Sequence, residues 1–450
     1  MVRKYKITGL IILLMFGFIS GWSQNLDVPR EKIVTHLSQQ CLFPGEHLWL
    51  TVYVSNYSDL PGKQISNLAF VEFVDSRNTS LIRKKIMLKN GVGICAFSIP
   101  DSLSTGICQV MVYTNWLKNF GESSYSKTKV MVFNPNSPVN EESLTSKIPS
   151  IKAKETSNTG FGIQTNKTEY STREKVILKF DFDTLQFKSA NLSISARQKE
   201  PLQMRDITRR EVDLPDFEIQ NINHYPDYKG ILLSGKILNK INNLPVQDEE
   251  IILSFPGEFV EIKYAHSNQN GEFSFLLEPN AGELDLVFNL PSDEHMVKLD
   301  EPFVNGFVQI PGQLDLKFTD ATIQYLKDRF IKYQLSRRFG YANVENIVIE
   351  EKIRQTDFFG EAYQRVVFKD YKKLDSISEY FYELIPTVHF SIRQGEQQLY
   401  ITNPETNFKL GDNPAVFIDG VYYPGLKELA ALDYNLVKEI SVVPKVYYYR

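Results

Sequence analysis

Short runs in which apolar and polar residues alternate constrain this chain most. Leu48-Trp49-Leu50-Thr51-Val52-Tyr53-Val54, Leu68-Ala69-Phe70-Val71-Glu72-Phe73-Val74 and Gln109-Val110-Met111-Val112-Tyr113 follow this pattern. Alternation sends successive side chains to opposite faces of a strand. Turn residues at Pro44-Gly45, Pro61-Gly62 and Asn90-Gly91 cut the runs short. Many short strands at such spacing bury their apolar faces by pairing sheets, so the chain is expected to be mainly β and built of tandem β-sandwiches. Trp49, between Leu48 and Leu50, is expected in the first core, and Glu46 in the turn before it.

The N-terminus predicts the compartment. Arg3, Lys4 and Lys6 precede an apolar run from Ile7 to Ile19, and Gly21-Trp22-Ser23-Gln24 follows. That is the layout of a cleaved secretory signal over 1–24, too short in its apolar part to serve as a span. The first cysteine after it is Cys41, so no lipid anchor is expected, and no long apolar segment returns. The whole chain carries a formal charge of −4; without the three signal cations 47 basic residues face 54 acidic ones, a charge of −7. Nucleic acid is therefore not an expected partner, since phosphate binding needs a basic face. Cys41, Cys95 and Cys108 lack metal-ligand spacing and read as free, half-buried thiols, with one disulfide as the alternative.

The expected organisation is a first sandwich over 25–135, a linker over 136–160 and a second sandwich-like segment over 161–225. A third sandwich over 226–310, a helical connector over 311–354 and an α+β unit over 355–450 follow. Leu42-Phe43-Pro44-Gly45-Glu46-His47-Leu48-Trp49-Leu50 aligns with Tyr170-Ser171-Thr172-Arg173-Glu174-Lys175-Val176-Ile177-Leu178, with the glutamates at the same offset. This suggests a repeated turn-to-strand entry, with further strands at Val176–Phe180 and Asn191–Ala196. In the third sandwich, Asn268-Gln269-Asn270-Gly271 is expected to be a hairpin turn. Thr319-Asp320 caps a helix with Ile323, Leu326, Phe330 and Tyr333 on one face, leaving Lys327, Arg329, Lys332, Arg337 and Arg338 as a solvated face. Asp375-Ser376-Ile377-Ser378-Glu379 forms a capping box for a second helix that ends before Pro386.

The segment Tyr113-Thr114-Asn115-Trp116-Leu117-Lys118-Asn119-Phe120-Gly121-Glu122, closing on Val132-Phe133-Asn134-Pro135, resembles the macroglobulin-type domain found at the start of many Bacteroidota envelope proteins. Ser267–Phe275, with its Ser-x-Asn-x-Asn-Gly-x-Phe-x-Phe pattern, resembles the carboxypeptidase-regulatory-like sandwich. Leu384-Ile385-Pro386-Thr387-Val388, Pro414-Ala415-Val416-Phe417-Ile418-Asp419-Gly420-Val421 and Leu436-Val437-Lys438-Glu439-Ile440-Ser441-Val442-Val443 together resemble the plug domain of TonB-dependent outer-membrane receptors. In that family the plug sits inside a barrel of 22 strands, for which this chain has no room after its plug-like segment. The resemblances imply macroglobulin-like or immunoglobulin-like sandwiches followed by a small α+β plug-like domain without a barrel of its own.

Catalytic patterns are weak. His36, His47, His224, His266, His295 and His389 form no His-x-x-x-His pair, and no phosphate loop, dinucleotide fingerprint or Gly-x-Ser-x-Gly occurs. Asp181-Phe182-Asp183 is half a calcium pattern and reads as a strand edge. Neither an enzyme activity nor a cofactor is expected. Asp101-Ser102-Leu103, Asp183-Thr184-Leu185 and Asp375-Ser376-Ile377 match a short acceptor pattern for O-glycosylation. The expected role is a periplasmic, outer-membrane-associated protein whose plug-like unit docks on or occludes a separate barrel complex. That barrel is a type IX secretion translocon or a TonB-dependent nutrient transporter. Asp419, Gly420, Tyr422, Tyr423, Tyr447, Tyr448 and Tyr449 are the candidate partner-binding residues, with the loops Thr402–Asn413 and Tyr422–Gly425 around them. The alternatives are a peptide- or glycan-binding module and a macroglobulin-like protease trap, the latter lacking the thioester sequence.

Overall fold

The computed structural model describes residues 29–56, 65–137, 161–172, 174–182, 191–196, 222–257, 261–278, 283–307, 320–340, 359–393, 396–425, 429 and 432–445. The signal segment, Tyr447, Tyr448, Tyr449 and most of the linker lie outside them. The chain is mainly β. It forms two compact units, one of residues 1–228 with 303–344 and one of 229–302 with 345–450.

In the first unit the strands are β1 (Glu31–Leu37), β2 (Cys41–Leu42), β3 (His47–Asn56), β4 (Leu68–Val74), β5 (Ser80–Met87), β6 (Val92–Ser98), β7 (Gly106–Tyr113) and β8 (Ser126–Val132). They make a sandwich of a three-stranded sheet, β1-β3-β6, on a five-stranded sheet, β2-β8-β7-β4-β5. All pairs are antiparallel except β2 with β8. The facing sides supply Leu48, Leu50, Val52, Val71, Phe73, Val110, Val112, Val130 and Val132 to one core. The expected alternation is therefore present, with a correction. The inward set of β3 is Leu48, Leu50, Val52 and Val54, and Trp49 lies on the opposite, half-buried face. Both parities of that run carry apolar side chains, so the pattern marks a strand without marking its inner face.

Asn90 and Gly91 have φ of 52° and 76°, the left-handed pair a tight hairpin turn requires. A side chain at Gly91 would also lie 2.4 Å from the Val54 carbonyl oxygen, so only glycine fits. All seven residues of β4 are buried, so the outer face of the five-stranded sheet is covered as well. Phe303 packs edge-on against Phe70 at 5.4 Å, and the Val304 amide donates to the Tyr113 hydroxyl at 2.9 Å. Helix α1 (Asp320–Arg338) lays Leu326, Tyr325, Phe330 and Tyr333 on Cys41, Phe43, Met131 and Phe133. No helix among the described residues is long and apolar enough to cross a membrane.

The second segment contributes β9 (Phe161–Thr165) and β10 (Leu178–Phe182), an antiparallel pair. The repeat seen in sequence is present in the hydrogen bonds. Glu46 Oε2 accepts the Phe43 amide at 2.9 Å while the Glu46 amide donates to the Phe43 carbonyl; Glu174 Oε2 accepts the Ser171 amide at 2.9 Å while the Glu174 amide donates to the Ser171 carbonyl. The strand expected at Asn191–Ala196 is a correction. It joins no ladder among the described residues, and its Ser193 and Ser195 hydroxyls instead meet the two ring nitrogens of His36.

In the second unit, β11 (Ile231–Asn239), β12 (Glu250–Ser254), β13 (Ile262–His266), β14 (Glu272–Leu277), β15 (Val287–Asn289) and β16 (His295–Leu299) form two three-stranded sheets, β14-β11-β16 and β13-β12-β15. Ile237, Ile251, Leu253, Phe273 and Phe275 fill the space between them. Asn268–Gly271 does turn the chain, its Asn268 Oδ1 accepting the Asn270 and Glu272 amides. It is not a hairpin, however, because the strands it joins belong to opposite sheets. A two-residue turn signal specifies a reversal and says nothing about which sheet the second strand enters.

The α+β part contains β17 (Gln364–Val367), helix α2 (Ile377–Leu384), β18 (Val388–Arg393), β19 (Glu396–Thr402), β20 (Lys409–Asp412), β21 (Val416–Ile418), β22 (Val421–Tyr423) and β23 (Glu439–Val442). The sheets are β17-β23, β18-β19-β20 and the hairpin β21-β22. The capping box forms, with Ser376 Oγ accepting the Glu379 amide and Glu379 Oε2 accepting the Asp375 amide. Phe368 stacks on Tyr380 with centroids 3.7 Å apart, and Ile377, Phe381, Ile385, Val388 and Leu399 complete this core.

Candidate partner-binding surface

The sequence places its candidate site on the β21–β22 hairpin. Asp419 and Gly420 have φ of 49° and 82° and make the tight turn expected of them. This turn faces inward. The Gly257 amide donates to the Asp419 carbonyl at 2.9 Å, and the Tyr422 amide donates to Ser254 Oγ at 3.1 Å, so the hairpin docks on the end of β12. Gly420 is buried there, and a Cβ on it would meet the Phe255 carbonyl at 2.8 Å and the Gly257 carbonyl at 3.0 Å. Tyr422 packs against Phe417 at 5.7 Å, and burial, with Glu250 adding, raises its hydroxyl pKa. Tyr422 and Tyr423 are half-buried. The hairpin thus joins the third sandwich to the α+β part within one unit.

Open aromatic surface occurs instead at the β19–β20 connection. Asn403 organises it: its Oδ1 accepts the Glu405 amide at 2.8 Å and the Thr406 amide at 3.1 Å. Its own amide donates to the Phe408 carbonyl at 2.8 Å, and its carbonyl accepts the Asn407 amide at 2.8 Å. Asn407 takes the left-handed φ of 58° that asparagine tolerates. The loop is thereby fixed by its own bonds, yet Phe408 is 75% exposed. Next to it is an open cleft of about 470 Å³ lined by Tyr363, Gln364, Thr387, Thr402, Pro404 and Asn407. Tyr363 is exposed, and none of these residues is charged. This surface lies in the loop Thr402–Asn413, ahead of the Asp419-Gly420 turn that carries the candidate residues. Asp-Gly is a strong local signal, whereas Asn403 acts through main-chain atoms two to five residues away that composition does not reveal.

Among the described residues no group of three His, Cys, Asp or Glu side chains could hold a metal ion. His266 approaches Asp248 at 3.8 Å, His295 meets Glu249 at 2.9 Å, and His389 stacks on Tyr400 at 4.6 Å. Asp181 lies 3.8 Å from Lys179, and Asp183 is outside the described residues.

No protein-family model and no curated protein matches the chain. Weak structural similarity at low identity links it to macroglobulins. Salmonella α2-macroglobulin reacted with methylamine is 12% identical over 61% of this chain, with a TM-score of 0.19. Trypsin-activated α2-macroglobulin from Escherichia coli is 9% identical over 61%, also at 0.19. The chain spans 15% and 16% of the length of these two proteins. A β-glucosidase from Listeria innocua in complex with isofagomine is 19% identical over 25% of this chain and 19% of its own, with a TM-score of 0.17. At such scores the likenesses say nothing about activity.

Proposed function

We propose that this is a non-catalytic periplasmic protein, peripheral to the outer membrane, whose plug-like α+β part docks on or occludes a separate outer-membrane barrel. The barrel belongs to a protein-secretion translocon or a TonB-dependent transporter. The observation that carries the reading is Phe408, 75% exposed on a loop that Asn403 holds in one conformation. A large ring displayed on a pre-ordered loop gains its burial on docking without the entropy of ordering the segment, which is the character of an interface hot spot. The Asp419–Gly420 hairpin fixes the α+β part to the third sandwich.

The test is a pull-down of the full chain from detergent-solubilised outer membranes. A stoichiometric barrel protein with the unmodified chain, reduced at least tenfold by Phe408→Ser, supports the reading. Recovery that is indifferent to Phe408 and to deletion of 355–450, with permeability of the cells unchanged, shows that the sandwiches carry any contact.

A further inference from the structure

The run Tyr113–Glu122 does more than complete the first sandwich. It turns through a short 3₁₀ segment at Trp116–Phe120, burying Trp116, Leu117 and Phe120. Thr114 Oγ1 accepts the Leu117 amide at 3.1 Å, and Trp116 Nε1 donates to the Pro29 carbonyl at 2.7 Å, so the start of the turn is fixed. Its asparagines then point at an extended stretch more than a hundred residues further along, 222–228. Asn119 Oδ1 accepts the Asn223 and His224 amides at 3.0 and 2.9 Å, and its Nδ2 donates to the His224 carbonyl at 2.6 Å. Nδ2 also donates to the Trp116 carbonyl at 3.0 Å, which orients the amide from behind. Asn115 Nδ2 donates to the Tyr225 carbonyl at 2.8 Å. Asn67 completes the row, with its amide on the Asp227 carbonyl at 3.2 Å and its Nδ2 on the Tyr228 carbonyl at 2.6 Å.

All of these contacts reach main-chain atoms of the stretch. Its side chains contribute little burial: Ile222, Tyr225 and Tyr228 are 44%, 67% and 55% exposed, and within 222–228 only Asp227, at 7%, is buried. Recognition by backbone amides and carbonyls does not depend on side-chain identity, and it is the means by which proteins take up extended peptides. We propose that Asn67, Asn115 and Asn119 form a receptor for an extended peptide segment of a partner protein, and that residues 222–228 occupy it as a resident stand-in which the partner segment replaces. The seated stretch defines the chemistry of the occupant: an extended backbone with a small polar or acidic residue at the place of Asp227 and freedom elsewhere. Being tethered, the resident stretch competes at an effective concentration in the millimolar range, so a free peptide displaces it only above that range, and a partner held close by other contacts does so below it.

The probe is a fluorescein-labelled synthetic peptide with the sequence of 222–228, followed by anisotropy against the full chain. Asn223→Pro with His224→Pro removes the two amides that Asn119 accepts and vacates the receptor. This chain is expected to bind the peptide at least tenfold more tightly than the unmodified one. Adding Asn119→Ala, which deletes three hydrogen bonds to the peptide backbone, is expected to weaken binding by about tenfold or more. Peptide that binds neither variant, or binds regardless of Asn119, overturns the proposal. In the unmodified chain, peptide supplied well above that millimolar range is expected to speed hydrogen exchange at the Asn223 and His224 amides. Unchanged rates there overturn it independently of how the variants fold.

Discussion

The guanidinium of Arg329 on α1 lies 3.2 Å from the carboxylate of Glu46, the residue that closes the turn into β3. The same guanidinium donates to the Cys41 carbonyl at 3.1 Å and sits 4.6 Å from the centre of the Phe43 ring. Arg329 and Glu46 are 16% and 15% exposed in their side chains, so this cation is an anchor of the helix on the sandwich rather than part of a solvated face.

Removing one partner of such a half-buried, multiply bonded pair leaves the other poorly compensated. Arg329→Ala is expected to lower stability by about 2–4 kcal/mol, and Arg329→Lys to restore only part of that, since lysine lacks the planar fork. Urea unfolding of the full chain measures both. A loss below about 0.5 kcal/mol for the alanine variant means the aromatic contacts with Phe43 dock the helix unaided.

Leu48 and Trp49 offer a direct test of which face of β3 is inside. Leu48 is fully buried among Leu50, Val71 and Phe73, so Leu48→Ala is expected to cost about 3–5 kcal/mol. Trp49→Ala, on the half-buried outer face, is expected to cost about half as much or less. The reverse ranking in thermal or urea unfolding contradicts the strand's register.

At Gly420 two obstacles coincide, the positive φ and the carbonyls of Phe255 and Gly257 within 3.0 Å of any Cβ. Gly420→Val is expected to lose about 2–4 kcal/mol, by backbone strain and by expulsion of the hairpin from the end of β12. Hydrogen exchange at the Gly257 and Tyr422 amides gives a local readout. Retained protection there shows that the turn adapts without undocking.

Burial pushes the Cys95 thiol up to about 11, with Lys84 opposing, and the Cys108 thiol up to about 12, with Asp75 adding. A raised folded-state pKa favours the neutral thiol in the folded chain. This contribution is fully present below the ordinary value of 9.0 and is lost as pH rises through 11 and 12. Stability should therefore begin to fall just above pH 9, by up to about 1.4 kcal/mol per pH unit for each thiol. The tyrosines join only above 10.0, where burial holds Tyr125 up to about 12. Urea midpoints between pH 8 and 10 measure the onset, and a Cys95→Ala, Cys108→Ala chain should decline less steeply. Equal slopes exclude the thiols as the cause.

Local features were legible in the sequence and distant ones were not. The Asn90-Gly91 and Asp419-Gly420 turns, the Ser376 cap and the paired glutamates at 46 and 174 each act within a few residues, and each forms as read. The role of Arg329 was missed because its partner Glu46 lies 283 positions away and its neighbours on the helix are ordinary surface cations. Asn115 and Asn119 were visible as a motif, but their partners lie 110 and 105 positions away, and backbone atoms leave no trace in composition. The edge strand Lys409–Asp412 escaped notice since four residues around a glycine give alternation nothing to work on.

The order in which the chain visits its two units has a further consequence. It leaves the first unit after Tyr228, returns at Phe303 and leaves again after Val344. A single cut after Tyr228 would therefore yield two fragments, neither of which holds a whole first unit. The later fragment carries Phe303, Val304 and α1, the pieces that cover the outer face of the five-stranded sheet on the earlier one. Such a nick should leave the fragments associated without a covalent link, and co-expressed halves divided at that point should rebuild the first unit by complementation.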